Sequence, residues 1–314
     1  MSKVLIGTVA AAVLMATAGA SISLPGPAMA QTAPASDPNR LFADSKLIVR
    51  DRISIEVVGS GPDLILVPGL DSSRQTWRHT AERLRGRYRL HLVQVAGFSG
   101  EPARANATGR ILAPTAEAID AYIVEARLAR AVYVGHSLGG TMGLYLAQHH
   151  PEHLKKVLLV DSLPFYGVLM GGPTATAETV KPIAGRMEAM MSAPAGPASD
   201  PTAMLASMVK DPDGLKAVVG WSKTSDRSVG GRAMADDVTL DMRAGLPTMQ
   251  TPITLVYPFD PAVGVPLAQW DGLYASQFAA VPHKTLVRVD DSRHFVMFDQ
   301  PARFDTALDA FLAG

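Results

Sequence analysis

Apolar and polar positions change rhythm several times along the chain. Residues 47–50 and 53–58 read as two short strands, and the turn cluster Gly59-Ser60-Gly61-Pro62 closes them as an amino-terminal hairpin. From residue 63 the pattern shifts to largely apolar runs of strand length, the signature of strands buried on both faces: 63–67, ending at Pro68-Gly69, then 89–95, 131–134, 157–160, 253–257 and 285–289. Helical patterns lie between them. Residues 73–84 and 138–149 read as helices, and 299–312 as the last one. Pro114-Thr115 opens another, with Ile119, Tyr122, Ile123 and Ala126 on one face at the spacing of a helix packed on a sheet.

Strands alternating with helices predict an α/β fold, a mostly parallel central sheet with helices on both faces. The alternation stops between Ser162 and Gln250. That segment carries Gly171-Gly172-Pro173, prolines at 194 and 201, short helical patches and nine of the fourteen methionines. It reads as an inserted, largely helical cap over the carboxyl edge of the sheet. Flexible, polarisable methionines could line an adaptable apolar pocket, or residues such as Met204 and Met208 could pack the cap on itself; the sequence leaves both open.

The first thirty residues follow other rules. Lys3 precedes an apolar stretch from Val4 to Leu24, which Pro25-Gly26-Pro27 breaks before Ala28-Met29-Ala30. This pattern predicts a signal peptide over 1–30, cleaved before Gln31, and an exported protein, periplasmic or secreted, with no stable membrane insertion afterwards. An uncleaved anchor is the alternative, because the apolar stretch is just long enough to span a bilayer. The expected organisation is therefore signal peptide 1–30, flexible leader 31–46, first part of the core 47–161, cap 162–250 and second part of the core 251–314.

Composition narrows the partners. Hydrophobic residues make up 47% of the chain and charged ones 18%, enough apolar material for a large core. Lys+Arg and Asp+Glu both total 29, so no overall field favours nucleic acid or an anionic surface. With no cysteine, disulfides, thiolate chemistry and lipid-modified cysteine are excluded.

Candidate chemistry centres on Gly135-His136-Ser137-Leu138-Gly139, a G-x-S-x-G pattern between a buried strand and a helix. Flanking glycines allow a sharp turn that lifts a serine hydroxyl above the sheet at the positive end of the helix. A serine needs a base to take its proton and an acid to hold that base in the right tautomer.

On this motif and its setting, the stretch from Leu47 to Leu312 resembles the α/β-hydrolase family. The resemblance implies a serine hydrolase with Ser137 as nucleophile. It puts Asp260, past the strand that follows the cap, in the acid's place, and His294, past the final strand, in the base's, in the family's chain order. It also implies an oxyanion hole from the backbone N–H groups of Leu70 and Leu138, with Gly135 and Gly139 shaping the elbow. Where the family more often has His-Gly before the first donor, this chain has Pro68-Gly69. Asp161, past the strand ending at Val160, is an alternative acid position in some members.

Asp290 and Asp291 are expected to shape the loop before His294. His149, His150 and His153 straddle Pro151 at a helix end and are expected to stay apart, so neither metal nor cofactor is implied. The expected reaction is hydrolysis of an uncharged carboxylic ester or lactone through an acyl-serine, on a small molecule with an apolar acyl or lactone part. Carbon–carbon bond hydrolysis, amide hydrolysis and cofactor-free perhydrolysis use the same residues, and a non-catalytic binding protein is a further alternative. Serine at the elbow argues against dehalogenase and epoxide-hydrolase chemistry, which would use aspartate there.

Overall fold

The computed structural model describes residues 37–194, 196 and 200–314. The expected signal peptide and the start of the leader lie outside the described residues. The strands are β1 (Lys46–Val49), β2 (Ile53–Val58), β3 (Asp63–Val67), β4 (Arg89–Val95), β5 (Ala131–His136), β6 (Leu154–Val160), β7 (Ile253–Phe259) and β8 (Lys284–Asp290). They form one sheet in the order β1-β2-β4-β3-β5-β6-β7-β8. β1 and β2 pair antiparallel, as does β2 with β4, while every pairing from β4 through β8 is parallel.

Alternate residues of the central strands feed two apolar layers. Ile65 and Val67 of β3, Val93 and Val95 of β4 and Val157 and Leu159 of β6 enter one layer; Leu64, Leu66, Leu90, Leu92, Leu158 and Val160 enter the other. Period-two alternation with both faces apolar produces the continuous hydrophobic runs of the sequence. Helices α1 (Arg78–Leu84), α2 (Leu112–Glu125) and α3 (Leu138–His149) link the first strands.

Between β6 and β7 the described residues form α4 (Val168–Gly171), α5 (Ala177–Ser192), α6 (Thr202–Ala206), α7 (Pro212–Thr224) and α8 (Arg227–Thr239), with no strand among them. α5 and α8 approach closely, since a Cβ at Gly231 would lie 2.5 Å from Ser192 Oγ and 2.8 Å from the Glu188 carbonyl. The methionines of this segment divide: Met242 and Met249 are buried in the core, whereas Met190 and Met204 are exposed. After β7 come α9 (Leu267–Gln277), α10 (Val296–Asp299) and α11 (Pro301–Ala313). Among the described residues, no helix is long and apolar enough to cross a membrane.

Three local expectations need revision. The hairpin turns at residues 50–52, where the Arg50 N–H donates to the Ile53 carbonyl, and Gly59–Pro62 instead leads from β2 into β3. The described end of the leader is fastened: Asn39 donates to the Ser99 carbonyl and accepts from Ser73, and the N–H groups of Leu41 and Phe42 donate to the buried Glu56 carboxylate. The closing helix begins two residues later than expected, at Pro301, after a separate short turn of helix at Val296–Asp299 and a non-helical Gln300.

Candidate active site

Ser137 sits between the end of β5 and the start of α3 with φ 52° and ψ −123°, a conformation that L residues adopt at a cost of about 1–3 kcal/mol. The surroundings enforce it. The Ser137 N–H donates to the Val160 carbonyl, while its own carbonyl accepts from the N–H groups of Gly140 and Thr141 and from Ser162 Oγ. The glycines around it answer close approaches rather than flexibility: a Cβ at Gly135 would fall 2.3 Å from the Gly139 carbonyl oxygen, and one at Gly139 would fall 2.5 Å from that of Pro68. Tyr133 of β5 donates to the same Gly139 carbonyl.

That packing draws the Pro68-Gly69-Leu70 loop against the elbow. A Cβ at Gly69 would lie 3.1 Å from Ser137 Cβ. Leu70 and Leu138 thus belong to the two backbone segments flanking Ser137, and the Leu138 N–H, in the first turn of α3, has no partner within the helix.

His294 follows β8, and its Nδ1 donates to Asp161 Oδ2 at 2.6 Å. Asp161 is the first residue after β6 and has φ 49°. Its other oxygen accepts from the Tyr274 hydroxyl of α9 at 2.6 Å. Burial, reinforced by Asp161, pushes Tyr274 well above the usual phenol range, so the ring stays a neutral donor.

Asp260 occupies its expected place past β7, but the expectation that it faces His294 is not met. It accepts from the Ala262 N–H at 3.0 Å and from Arg293 Nε at 3.0 Å, and Lys210 Nζ lies 3.5 Å away. That backbone donor, with the two cations, holds its carboxyl below the usual range. The reason is competition for one nitrogen. His294 Nδ1 has room for one strong acceptor, Asp161 takes it, and the neighbouring Arg293 takes Asp260. Asp290 pairs with Arg288, and Asp291 pairs with Lys210 at φ 61°, so both organise the turn before His294.

Two further groups escaped the sequence reading. His136, the variable residue before Ser137, is fully buried; its Nε2 donates to the His294 carbonyl at 3.0 Å, and the two rings lie 4.5 Å apart between centroids. Burial first and His294 second push it well below the usual imidazole range, so it is neutral. Asp237 of α8 is buried beside Thr141 and feels the charge of His294; burial raises its carboxyl to about 6. Nothing in the preceding helical run, Gly230-Gly231-Arg232-Ala233, marks Asp237 for the site. His136 had a signal, as the polar residue inside the motif.

A cavity of about 480 Å³ lined by Lys46, Arg50, Arg89, His91, Tyr122 and Glu125 lies elsewhere. Arg89 starts β4, so this cavity opens at the amino ends of the parallel strands, opposite the edge that carries Ser137. In open α/β sheets ligands bind at the carboxyl ends.

The sequence profile described as the alpha/beta hydrolase family matches residues 64–307. The pimeloyl-(acyl-carrier protein) methyl ester esterase of Vibrio vulnificus is 34% identical over 106 residues, which are 34% of this chain and 39% of that protein. The same-named esterase of Aeromonas hydrophila is 35% identical over 114 residues, 36% of this chain and 43% of that protein. The chain thus matches about two-fifths of the length of these relatives. Among solved structures, a hydrolase from Pseudomonas aeruginosa superposes with a TM-score of 0.66 at 17% identity, covering 87% of this chain and 99% of that one. An enol-lactonase from Burkholderia xenovorans gives 0.64 at 17% identity over 83% and 96% of the two chains. An esterase from Thermogutta terrifontis gives 0.66 at 18% over 83% and 94%. At such identities the likeness is one of fold.

Proposed function

Because the chain belongs to the alpha/beta hydrolase family, we propose that it hydrolyses an uncharged carboxylic ester or lactone through an acyl-serine, with Ser137 as nucleophile, His294 as base and Asp161, in place of Asp260, as the orienting acid. The observation that carries this reading is the 2.6 Å bond from His294 Nδ1 to Asp161 Oδ2, with Asp161 one strand over from a serine held at φ 52°. A bond at Nδ1 leaves Nε2 as the nitrogen free to take a proton.

In this reading Ser137 Oγ attacks the carbonyl carbon as its proton passes to His294 Nε2. Asp161 stabilises the imidazolium, and Tyr274 fixes the carboxylate in place. The backbone N–H groups of Leu138 and Leu70 receive the oxyanion; losing one such donor commonly lowers turnover by about 10²–10³. His294 then protonates the leaving alcohol, which in a lactone stays tethered to the acyl group. Water, deprotonated by the same nitrogen, attacks the acyl-serine, and Ser137 recovers its proton as the acid departs. Neutral His136, donating to the His294 carbonyl, holds the backbone of the base without competing for its proton.

Relatives named as a methyl ester esterase and an enol-lactonase support this class of bond. The apolar start of the chain supports export, which predicts a mature protein beginning at Gln31 when the periplasmic or secreted fraction is sequenced.

The test is labelling with a fluorophosphonate probe followed by peptide mass spectrometry. Label on Ser137 that disappears in His294→Ala is the expected result. A folded protein that takes up no label and turns over none of a series of short and medium p-nitrophenyl esters would overturn the proposal.

A further inference from the structure

At the far end of α3 from Ser137, the chain turns through a single 3-10 turn, Pro151–His153, before entering β6. Three residues per turn puts positions 150 and 153 on one side, and their rings stack nearly parallel, 5.9 Å apart between centroids with 4° between planes. His149 turns away, with Nδ1 against the Tyr145 carbonyl and its ring on that of Tyr145. Two of the three histidines expected to stay apart therefore converge, and they do so on α2.

They meet Asp120. His153 Nδ1 lies 2.7 Å from Asp120 Oδ1, and His150 Nδ1 lies 3.6 Å from Asp120 Oδ2. One donor atom from each of the three residues falls within 4.8 Å of the others. Ligand atoms about 2.0–2.1 Å from a tetrahedral metal stand roughly 3.3 Å from each other, so the spacing already approximates a coordination shell.

The outer nitrogens strengthen the case. His150 Nε2 lies 3.0 Å from Glu117 Oε2, one turn before Asp120 on α2, and Glu117 itself accepts from the Tyr145 hydroxyl. His153 Nε2 faces Glu152 at 3.8 Å. The Glu117 carboxylate on the outer nitrogen of His150 is the outer-shell arrangement that metal-bound histidines use, while His153 Nδ1 donates to Asp120 Oδ1, a proton that a metal ion would replace.

We propose that His150 Nδ1, His153 Nδ1 and a carboxylate oxygen of Asp120 form a binding site for a divalent transition-metal ion of the Zn²⁺ class, with His150 oriented by Glu117. Two imidazoles select zinc-like ions over Mg²⁺ or Ca²⁺, which prefer all-oxygen shells. The histidine side chains are partly open, so water completes the shell. The ion would clamp α2 to the link between α3 and β6. It takes no part in the reaction at Ser137, because α3 has 12 residues and separates the two by about 18 Å.

The experiment is calorimetric titration of the tag-free mature protein, stripped with chelator, with ZnCl₂ at neutral pH, alongside the visible spectrum on adding Co²⁺. One Zn²⁺ per chain, a tetrahedral Co²⁺ band and a rise in melting temperature with zinc are expected. Binding should weaken at least about tenfold in His150→Ala/His153→Ala and in Asp120→Asn. Circular dichroism checks folding of each, and Asp120→Asn keeps the site's shape if the double variant is unstable. No zinc uptake by the wild type would overturn the proposal and leave the cluster as imidazole–carboxylate pairs. Undiminished uptake by both folded variants would overturn it equally.

Discussion

Ser137 and Asp161 stand at the same height on neighbouring strands. His136 of β5 is in register with Val160 of β6, and each of the two residues is the next one along, each with left-handed φ, 52° and 49°. Ser137 N–H donates to the Val160 carbonyl and Asp161 N–H to that of Val256, so the parallel ladder itself sets the separation between proposed nucleophile and acid.

The relative weight of the two aspartates follows. Asp161→Asn should lower kcat on a p-nitrophenyl ester by about 10³–10⁴, since the amide favours the wrong tautomer of His294. Asp260→Asn should leave kcat within several-fold and act on stability, through Arg293 and Lys210. Steady-state kinetics on both variants decide it, and the reverse ranking would return the acid role to Asp260.

Tyr274→Phe removes one of the two strong hydrogen bonds to Asp161. Bonds to charged groups are worth about 1.5–3 kcal/mol, so a loss of roughly tenfold in kcat/KM is expected, together with a lower melting temperature. Unchanged kinetics would mean that His294 alone fixes the carboxylate.

Gly135→Ala tests the elbow. The new Cβ would press on backbone at Gly139, which cannot swing aside as a side chain can. A cost of about 1–3 kcal/mol or more is expected in urea unfolding, with fluorophosphonate labelling of Ser137 slowed in whatever folds. Wild-type stability would contradict the close packing.

Asp71 makes a prediction about pH. It follows Leu70 with φ 54°, and its Oδ1 is buried opposite Gly230 of α8, where burial raises the carboxyl to about 7. Above the ordinary value of 3.8 the unfolded chain gives up this proton while the folded chain keeps it, so stability falls as pH rises toward 7 and stays lower beyond. About three pH units correspond to roughly 4 kcal/mol as an upper bound. Asp71→Asn, which tolerates the same backbone, should be more stable than the wild type at pH 8 and similar near pH 4. Urea titrations at the two pH values test this; parallel curves would show that the carboxyl is ionised and solvated.

Most of the frame was legible in the residues. The buried runs at Asp63–Val67 and Arg89–Val95 coincide with β3 and β4 to the residue, because strands covered on both faces leave no polar interruption to blur their ends. The G-x-S-x-G pattern located the strained serine for the same local reason. What escaped depended on pairing between distant residues. Asp161 and Asp260 both end buried strands, and only the arrangement of Arg293 and Tyr274 around them separates their partners. α9 was missed because its apolar pattern is weak, with Tyr274 as its one buried residue. His150 and His153 were read as diverging because a helix end was expected where a 3-10 turn brings them together.

The placement of Asp161 also divides the proposed site along the chain. The proposed nucleophile and acid are both complete before residue 162, on one rigid ladder, and the long helical excursion begins only afterwards. Substitutions or length changes between β6 and β7 therefore leave the spacing of Ser137 and Asp161 to the ladder, whereas His294 must be brought to them from beyond β8.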